Sequence, residues 1–123
     1  MARAIGVPWK RWRADWSGMD CFGVIVLYFR EVHGVELGAV PQTDIATGFM
    51  QASGWEECSE QAGATCFMSW RDGSPTHCGI LMPRRMVLHS DGDVDRPGSV
   101  RLTRIAALSR VVGEIKFYRR APC

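Results

Sequence analysis

Residues 20–34, which read DCFGVIVLYFREVHG, decide how the first part of the chain is expected to fold. Asp20 is typical of a helix N-cap, because its carboxylate accepts the unpaired amide protons of a first turn. The apolar run behind it is too long for an ordinary strand and stops at Gly34, a residue that favours helix C-termini. The pattern therefore predicts a largely buried helix over Cys21–His33.

The pattern after this helix becomes strand-like. Thr43 is predicted to cap a second, short helix, whereas Met1–Met19 is expected to be irregular. Short apolar runs bounded by turn residues predict strands at Thr65–Trp70, His77–Met82, Met86–Ser90, Val100–Leu102 and Glu114–Arg119. A helical turn or two is expected over Thr103–Val111. Helices followed by a meander of strands define an α+β fold class with an antiparallel sheet, and 123 residues fit one domain spanning 1–123.

Two connections between strands are predicted from their turn residues. Arg71–Pro75 has the composition of a loop. Pro83–Arg85 is expected to be a tight turn of three residues, with Met82 facing Met86. A turn of two residues is disfavoured there, because no Gly or Asn is present to take the left-handed positions.

The composition excludes several classes of function. The 15 basic residues are spread out and balanced by 13 acidic ones, and a net charge of +2 does not suggest nucleic-acid binding. The apolar run Cys21–Phe29 is too short to span a membrane. Residues 1–13 lack the apolar core of a secretory signal, so we expect synthesis in the cytoplasm.

The cysteines indicate a reducing environment. Five is an odd number, which excludes a complete disulfide framework, and the spacings match no zinc pattern. We therefore expect mostly buried thiols and no metal or other cofactor. A metal or iron–sulfur centre is an alternative, and it would use Cys58, Cys66, Cys78 and Cys123.

Cys21 is the candidate nucleophile. It lies in the first turn of the predicted helix, where unpaired amide groups and the helix dipole stabilise a thiolate. The same amides can hold the oxyanion of a tetrahedral intermediate. Gly23 is expected to leave room for a substrate backbone. A purely structural cysteine is the alternative interpretation of Cys21 taken alone.

His77 is the candidate base, and His89 is the residue expected to orient it. A nucleophilic cysteine needs a base within hydrogen-bonding reach, and the base needs a third group that fixes its ring. With a three-residue turn between their strands, Gly79 faces His89. His77 and His89 then lie on one face as diagonal neighbours, roughly 7–8 Å apart at the backbone. A slip of one residue would place them on opposite faces.

Three motifs resemble those of the NlpC-type cell-wall cysteine peptidases, which are compact papain-like enzymes. Asp20–Ile25 is similar to their Asp-Cys-x-Gly-Leu-Val signature, His77–Met82 to their His-Val-Gly-Ile-Tyr-Leu strand, and Met86–His89 to their Met-Leu-His strand. Pro8-Trp9 lies where members often have Pro-Tyr or Pro-Phe. The closing Val112–Arg119 resembles the Gly-Phe-Tyr-Arg ending of members encoded in phage tail operons and gene transfer agents.

The resemblance implies roles for individual residues. It implies Cys21 as nucleophile, His77 as base and His89 as the orienting residue, with no metal. The residues that it places around the substrate are Asp20, Phe22, Gly23 and Trp9. The implied reaction is hydrolysis of peptidoglycan stem peptides, typically between D-glutamate and a diamino acid.

The tail-like ending implies partners and a site of action. The partners are tail-tip or baseplate hub proteins of a phage-like particle, which would carry the enzyme from the cytoplasm to the wall or periplasm of a target cell. Trp12–Arg13 and Lys116–Arg120 are the candidate docking regions. The alternative function is a catalytically silent structural subunit of the tail tip.

Three positions depart from the pattern of the family. Phe22 replaces the serine usual in secreted lytic members, and Trp9 lacks the hydroxyl group of the usual tyrosine. Ala64 stands where a Gly-Asp pair normally leads into the first strand. These departures bear on which bond is cut more than on the chemistry.

Overall fold

The computed structural model describes residues 2–37, 55–61, 64–92, 95–96 and 98–120. The helix predicted after Thr43 lies outside these ranges. A single 3-10 turn, Ala2–Ala4, precedes the first strand. The described strands and helices, in chain order, are β1 (Ala14–Asp15), β2 (Gly18–Met19), α1 (Cys21–His33), β3 (Trp55–Cys58), β4 (Cys66–Arg71), β5 (Ser74–Met82), β6 (Met86–Asp91), β7 (Ser99–Arg104), α2 (Ile105–Val112) and β8 (Glu114–Arg120).

Helix α1 has the bounds and the caps that the sequence predicts. The Asp20 carboxylate accepts a hydrogen bond of 2.7 Å from the Gly23 amide, which satisfies one of the unpaired donors of the first turn. At the other end Gly34 adopts a left-handed conformation with φ of 66°, and its amide donates to the Phe29 carbonyl. Such a conformation costs a glycine little, and the helix therefore ends there.

The sheet confirms the α+β class. Six of the described strands form one antiparallel sheet in the order β3-β8-β4-β5-β6-β7. Helix α1 packs on one face, over a core that includes Cys66, Met68, Cys78, Ile80 and Leu88. Helix α2 packs on the other face, over Phe67 and Val87. Within the described ranges, neither helix has the length and apolar content to cross a bilayer.

The two predicted connections differ in their outcome. Met82 pairs with Met86, so the three-residue turn is confirmed. However, Arg84 and Arg85 do take left-handed conformations, with φ of 64° and 57°. The loop predicted over Arg71–Pro75 is present as a turn but is shorter than these bounds, since Arg71 pairs with Ser74.

The loop is short because Asp72 and Gly73 form a turn of two residues, with φ of 51° and 78°. Asp-Gly tolerates both left-handed positions, which allows a tight hairpin. Strand β5 consequently begins at Ser74, three residues before the predicted start. Strand β3 was not predicted at all, and it pairs along β8 at the edge of the sheet.

The N-terminal segment is more ordered than predicted. Its short hairpin, β1 with β2, leads directly into α1. The segment is fixed to β7 by hydrogen bonds of 2.9 Å from the Gly6 amide to the Val100 carbonyl and from the Val100 amide to the Val7 carbonyl. Another 2.9 Å bond joins the Trp9 amide to the Gly98 carbonyl. The segment therefore reaches across the fold to the edge strand.

Candidate active site

Cys21 lies at the junction between α1 and β5. It is the first residue of α1 and is 8% exposed. The described pairing of β5 with β6 extends from Met82–Met86 to Ile80–Leu88. Cys21 lies beside β5 just beyond this pairing, close enough to Cys78 and to the His77 ring for both residues to act on the pKa of its thiol.

These contacts favour the thiolate form of Cys21. The hydrogen bond with the Cys78 thiol is the largest influence, and the hydrogen bond and charge of His77 act in the same direction, so that the pKa of Cys21 falls to about 5 despite its burial. Burial and the neighbouring Cys21 sulfur raise the pKa of Cys78 well above its ordinary value. Cys21 therefore ionises first, and Cys78 stays protonated as a hydrogen-bond donor.

The two histidines meet as the strand geometry predicts. His77 Nε2 lies 2.9 Å from His89 Nδ1. Gly79 leaves no room for a side chain here, because a Cβ atom would come 2.5 Å from the Leu88 carbonyl oxygen and 3.0 Å from the His89 Cβ. His89 is only 3% exposed, and its Nε2 lies 2.8 Å from the Thr103 hydroxyl. Burial and the nearby His77 lower the pKa of His89 to about 4, so its ring is neutral at pH 7.

Asp20 has a structural position at the start of α1. Its buried carboxylate accepts the Gly23 amide at 2.7 Å and the Trp12 amide at 2.6 Å. Burial raises the pKa of Asp20 to about 7, and the two amide hydrogen bonds oppose that rise. Asp20 thus holds the N-terminal segment against the helix end that carries Cys21.

Two of the residues expected around the substrate are placed differently. The space beside Gly23 is filled by the Arg13 carbonyl, which a Cβ atom would overlap, so the glycine serves chain packing instead of leaving room for substrate. Phe22 is buried in the core under α1 and offers no exposed ring to a ligand. The correction for Gly23 arises because the N-terminal segment packs against this end of the helix.

Trp9 lies at the end of β6. Its side chain packs against Gly92, where an added Cβ would come 3.1 Å from the indole, and its amide binds the Gly98 carbonyl. These contacts place the tryptophan beside the connection between β6 and β7. A role in substrate binding stays a prediction.

A cavity adjoins the histidine pair on the side of α2. It has a volume of about 370 Å³ and opens between the sheet and the helix. His77 and His89 line it, together with Thr76, Asp91, Arg101, Thr103, Ala107, Leu108, Val111 and Val112. The cavity therefore reaches the histidine pair from the face of the sheet opposite to α1.

The other cysteines form no centre in the described part of the chain. Cys58 and Cys66 are free thiols, as are Cys21 and Cys78, and Cys123 lies outside the described residues. Burial raises the pKa of Cys66, which leaves it an inert core residue. No group of three or more His, Cys, Asp or Glu side chains is placed to hold a metal ion within the described ranges.

The arrangement has the parts of a thiol nucleophile. The pKa of the Cys21 sulfur is lowered, the sulfur contacts an imidazole, and a second imidazole holds the first. Amides of a first helical turn are the kind of donor that stabilises an oxyanion, although the Gly23 amide is already bonded to Asp20. The fold and this site are those expected of a cysteine hydrolase of the α+β class.

Comparisons with known proteins assign the chain to a family. The model of the NlpC/P60 family matches residues 6–104, and the chain belongs to that family. Its members are cysteine peptidases and amidases that act on peptidoglycan. No curated protein matches the chain.

A solved structure supports the papain-like fold. The chain is similar to the NlpC/p60 domain of the peptidoglycan hydrolase SagA, with a TM-score of 0.60 and 21% sequence identity. The match covers 94% of this chain and 92% of that chain. At this level of identity the likeness concerns the fold, and it confirms the predicted papain-like architecture.

Proposed function

We propose that this protein hydrolyses peptidoglycan stem peptides by thiol catalysis, cutting between D-glutamate and a diamino acid. The observation that carries the proposal is the position of His77, which lies 2.9 Å from His89 and close enough to Cys21 to lower the pKa of its thiol. Membership of the NlpC/P60 family supports peptidoglycan as the substrate. The choice of bond rests on the resemblance of the motifs around Cys21 and His77.

The proposed reaction uses two chemical steps. The Cys21 thiolate attacks the carbonyl carbon of the scissile amide, and the amides at the start of α1 stabilise the negative oxygen. His77 in its protonated form gives a proton to the leaving amine, and the acyl-enzyme forms. Water then attacks the thioester while His77 takes its proton, which releases the acid product and restores Cys21. His89 holds the His77 ring throughout.

Digestion of purified sacculi tests this activity. The wild-type protein should release peptide fragments with a new D-glutamate terminus, which mass spectrometry identifies. Cys21→Ser should release none, whereas Cys58→Ser is a matched control because Cys58 lies on the edge strand β3, outside the contacts of Cys21. Wild-type protein that leaves intact sacculi unchanged would contradict the proposal.

We also propose that the enzyme works at the tail tip of a phage-like particle. It would be made in the cytoplasm, dock on tail-tip or baseplate hub proteins, and open the wall of the target cell for DNA. The resemblance of Val112–Arg119 to the ending of tail-associated members supports this placement. Trp12–Arg13 and Lys116–Arg120 are the proposed docking regions. A catalytically silent subunit of the tail is the alternative.

Particles that carry Cys21→Ser separate docking from catalysis. The change replaces one buried atom, so the particles should form normal tails and adsorb to cells. They should deliver DNA poorly through an intact wall. Normal delivery would favour the silent subunit, and failure to form tails would show that assembly depends on Cys21.

A further inference from the structure

The Thr103 hydroxyl is placed to act on the catalytic base through His89. Thr103 lies on β7, two residues beyond Arg101, which pairs directly with His89. Its Oγ1 lies 2.8 Å from His89 Nε2, while His89 Nδ1 lies 2.9 Å from His77 Nε2. A continuous chain of hydrogen bonds therefore runs from Thr103 through both imidazoles toward Cys21.

The protons in this chain have two possible arrangements. His77 uses Nε2 for its bond to His89, so only Nδ1 is left to face Cys21. A neutral His77 accepts a proton at Nδ1 only when its Nε2 carries the hydrogen and donates to His89. In the opposite arrangement His89 donates from Nδ1, and the hydrogen of a neutral His77 sits on Nδ1, where it blocks the base.

The state of His89 selects between these arrangements. A neutral imidazole carries one hydrogen, and if Nδ1 accepts from His77 that hydrogen must lie on Nε2. His89 is buried, so an Nε2–H without an acceptor would be costly. The Thr103 hydroxyl oxygen can accept that hydrogen, and it does so whenever His77 is protonated, because both His77 nitrogens then carry hydrogen and His89 Nδ1 can only accept.

We propose that Thr103 is a positioning residue that stabilises the His89 tautomer able to accept from His77 Nε2, and thereby keeps His77 Nδ1 free to serve as the base. The inference rests on the proposed hydrolase function, which it extends by one residue. Thr103 touches neither the substrate nor Cys21, and it acts only through the two rings.

Thr103→Val tests the role, because it replaces the hydroxyl with a methyl group of similar shape. We expect kcat to fall about tenfold, because His77 would be in the wrong tautomer to act as a base in part of the molecules. KM should change little, because the substrate-binding surface is unchanged. Thr103→Ser should recover most of the rate. The matched control is Thr76→Val, which lines the same cavity but binds Ser69 and the Val112 carbonyl.

Nitrogen-15 NMR of the histidine rings provides a readout that does not depend on turnover. His89 should carry its hydrogen on Nε2 in the wild type and in Thr103→Ser, but not uniformly in Thr103→Val. If Thr103→Val does not fold, Thr103→Ala gives the same comparison with a smaller side chain. An unchanged His89 tautomer, or an unchanged kcat in an active enzyme, would overturn the inference. A wild type without activity on stem peptides would instead refute the proposed function, and the NMR result would still stand.

Discussion

His77 Nε2 and His89 Nδ1 lie 2.9 Å apart, although twelve residues separate them in the chain. The contact depends on the three-residue turn Pro83–Arg85, because strand side chains alternate between faces and a turn shorter by one residue would move one ring to the other side. The length of a surface turn thus determines whether the base has a partner.

Cys21 should be the first thiol to react with limiting iodoacetamide. Its pKa of about 5 makes it mostly thiolate at pH 6, whereas burial raises the pKa values of Cys66 and Cys78. Labelling should rise with pH to a plateau with a midpoint near 5, because the fraction of thiolate grows as pH passes the pKa. Peptide mapping after a short exposure measures this, and preferential labelling of another cysteine would count against the assignment.

Cys78→Ala should raise the pH midpoint for labelling of Cys21. The hydrogen bond from the Cys78 thiol stabilises the Cys21 thiolate, and losing a bond of about 1 kcal/mol corresponds to somewhat less than one pH unit. Alkylation rates measured between pH 4 and 8 give the midpoint. Cys66→Ala is the matched control, since Cys66 is buried under the same helix but bonds to the Tyr118 carbonyl. Equal midpoints for Cys78→Ala and Cys66→Ala would show that the thiol contact is unimportant.

The histidines should have unequal effects on hydrolysis of sacculi. His77→Ala should lower the rate by about 10³-fold because the base is lost, and His89→Ala by about 10²-fold because the ring is only misdirected. His89→Asn or His89→Gln should recover part of the rate through a new hydrogen bond. His33→Ala is the control, since His33 is exposed and binds the Tyr28 hydroxyl. Comparable damage from His33→Ala and His77→Ala would mean that the base is misassigned.

Arg84→Gly should stabilise the fold. Arg84 has φ of 64°, a conformation that costs a residue with a side chain about 1 kcal/mol and costs glycine little. Arg84→Ala is the matched control, because it removes the same charge but keeps the Cβ atom. Thermal unfolding should show Arg84→Gly more stable than Arg84→Ala by about 1 kcal/mol, and equal melting temperatures would contradict the expected strain.

The sequence predicted those parts of the site that depend on local rules. A capping residue and a terminal glycine mark the ends of α1, and strand alternation with a known turn length pairs His77 with His89. Thr103 escaped prediction because its place beside His89 depends on the register of β7. The residues between β6 and β7 give no sequence signal from which that register could be predicted.

Other features depended on contacts between distant segments. The role of Gly23 depends on the Arg13 carbonyl that packs against it. A glycine in a sequence indicates close packing or open space, but it does not indicate which group lies beside it. In the sequence Cys78 has the pattern of an ordinary core residue, and only the packing of α1 on the sheet places it beside Cys21. Strand β3 is short and half-exposed, and it owes its conformation to pairing with β8 more than to its own residues.

The bonds that join the N-terminal segment to β7 affect the order in which the protein matures during synthesis. The Val100 amide donates a hydrogen bond to the Val7 carbonyl across more than ninety residues of chain, and the same N-terminal segment carries the Trp12 amide that donates to Asp20. Strand β7 must therefore be synthesised before the N-terminal segment can adopt its final position. Cys21 is synthesised early, but the residues that surround it in the folded protein come together late. The nascent chain therefore lacks a complete active site during most of its synthesis.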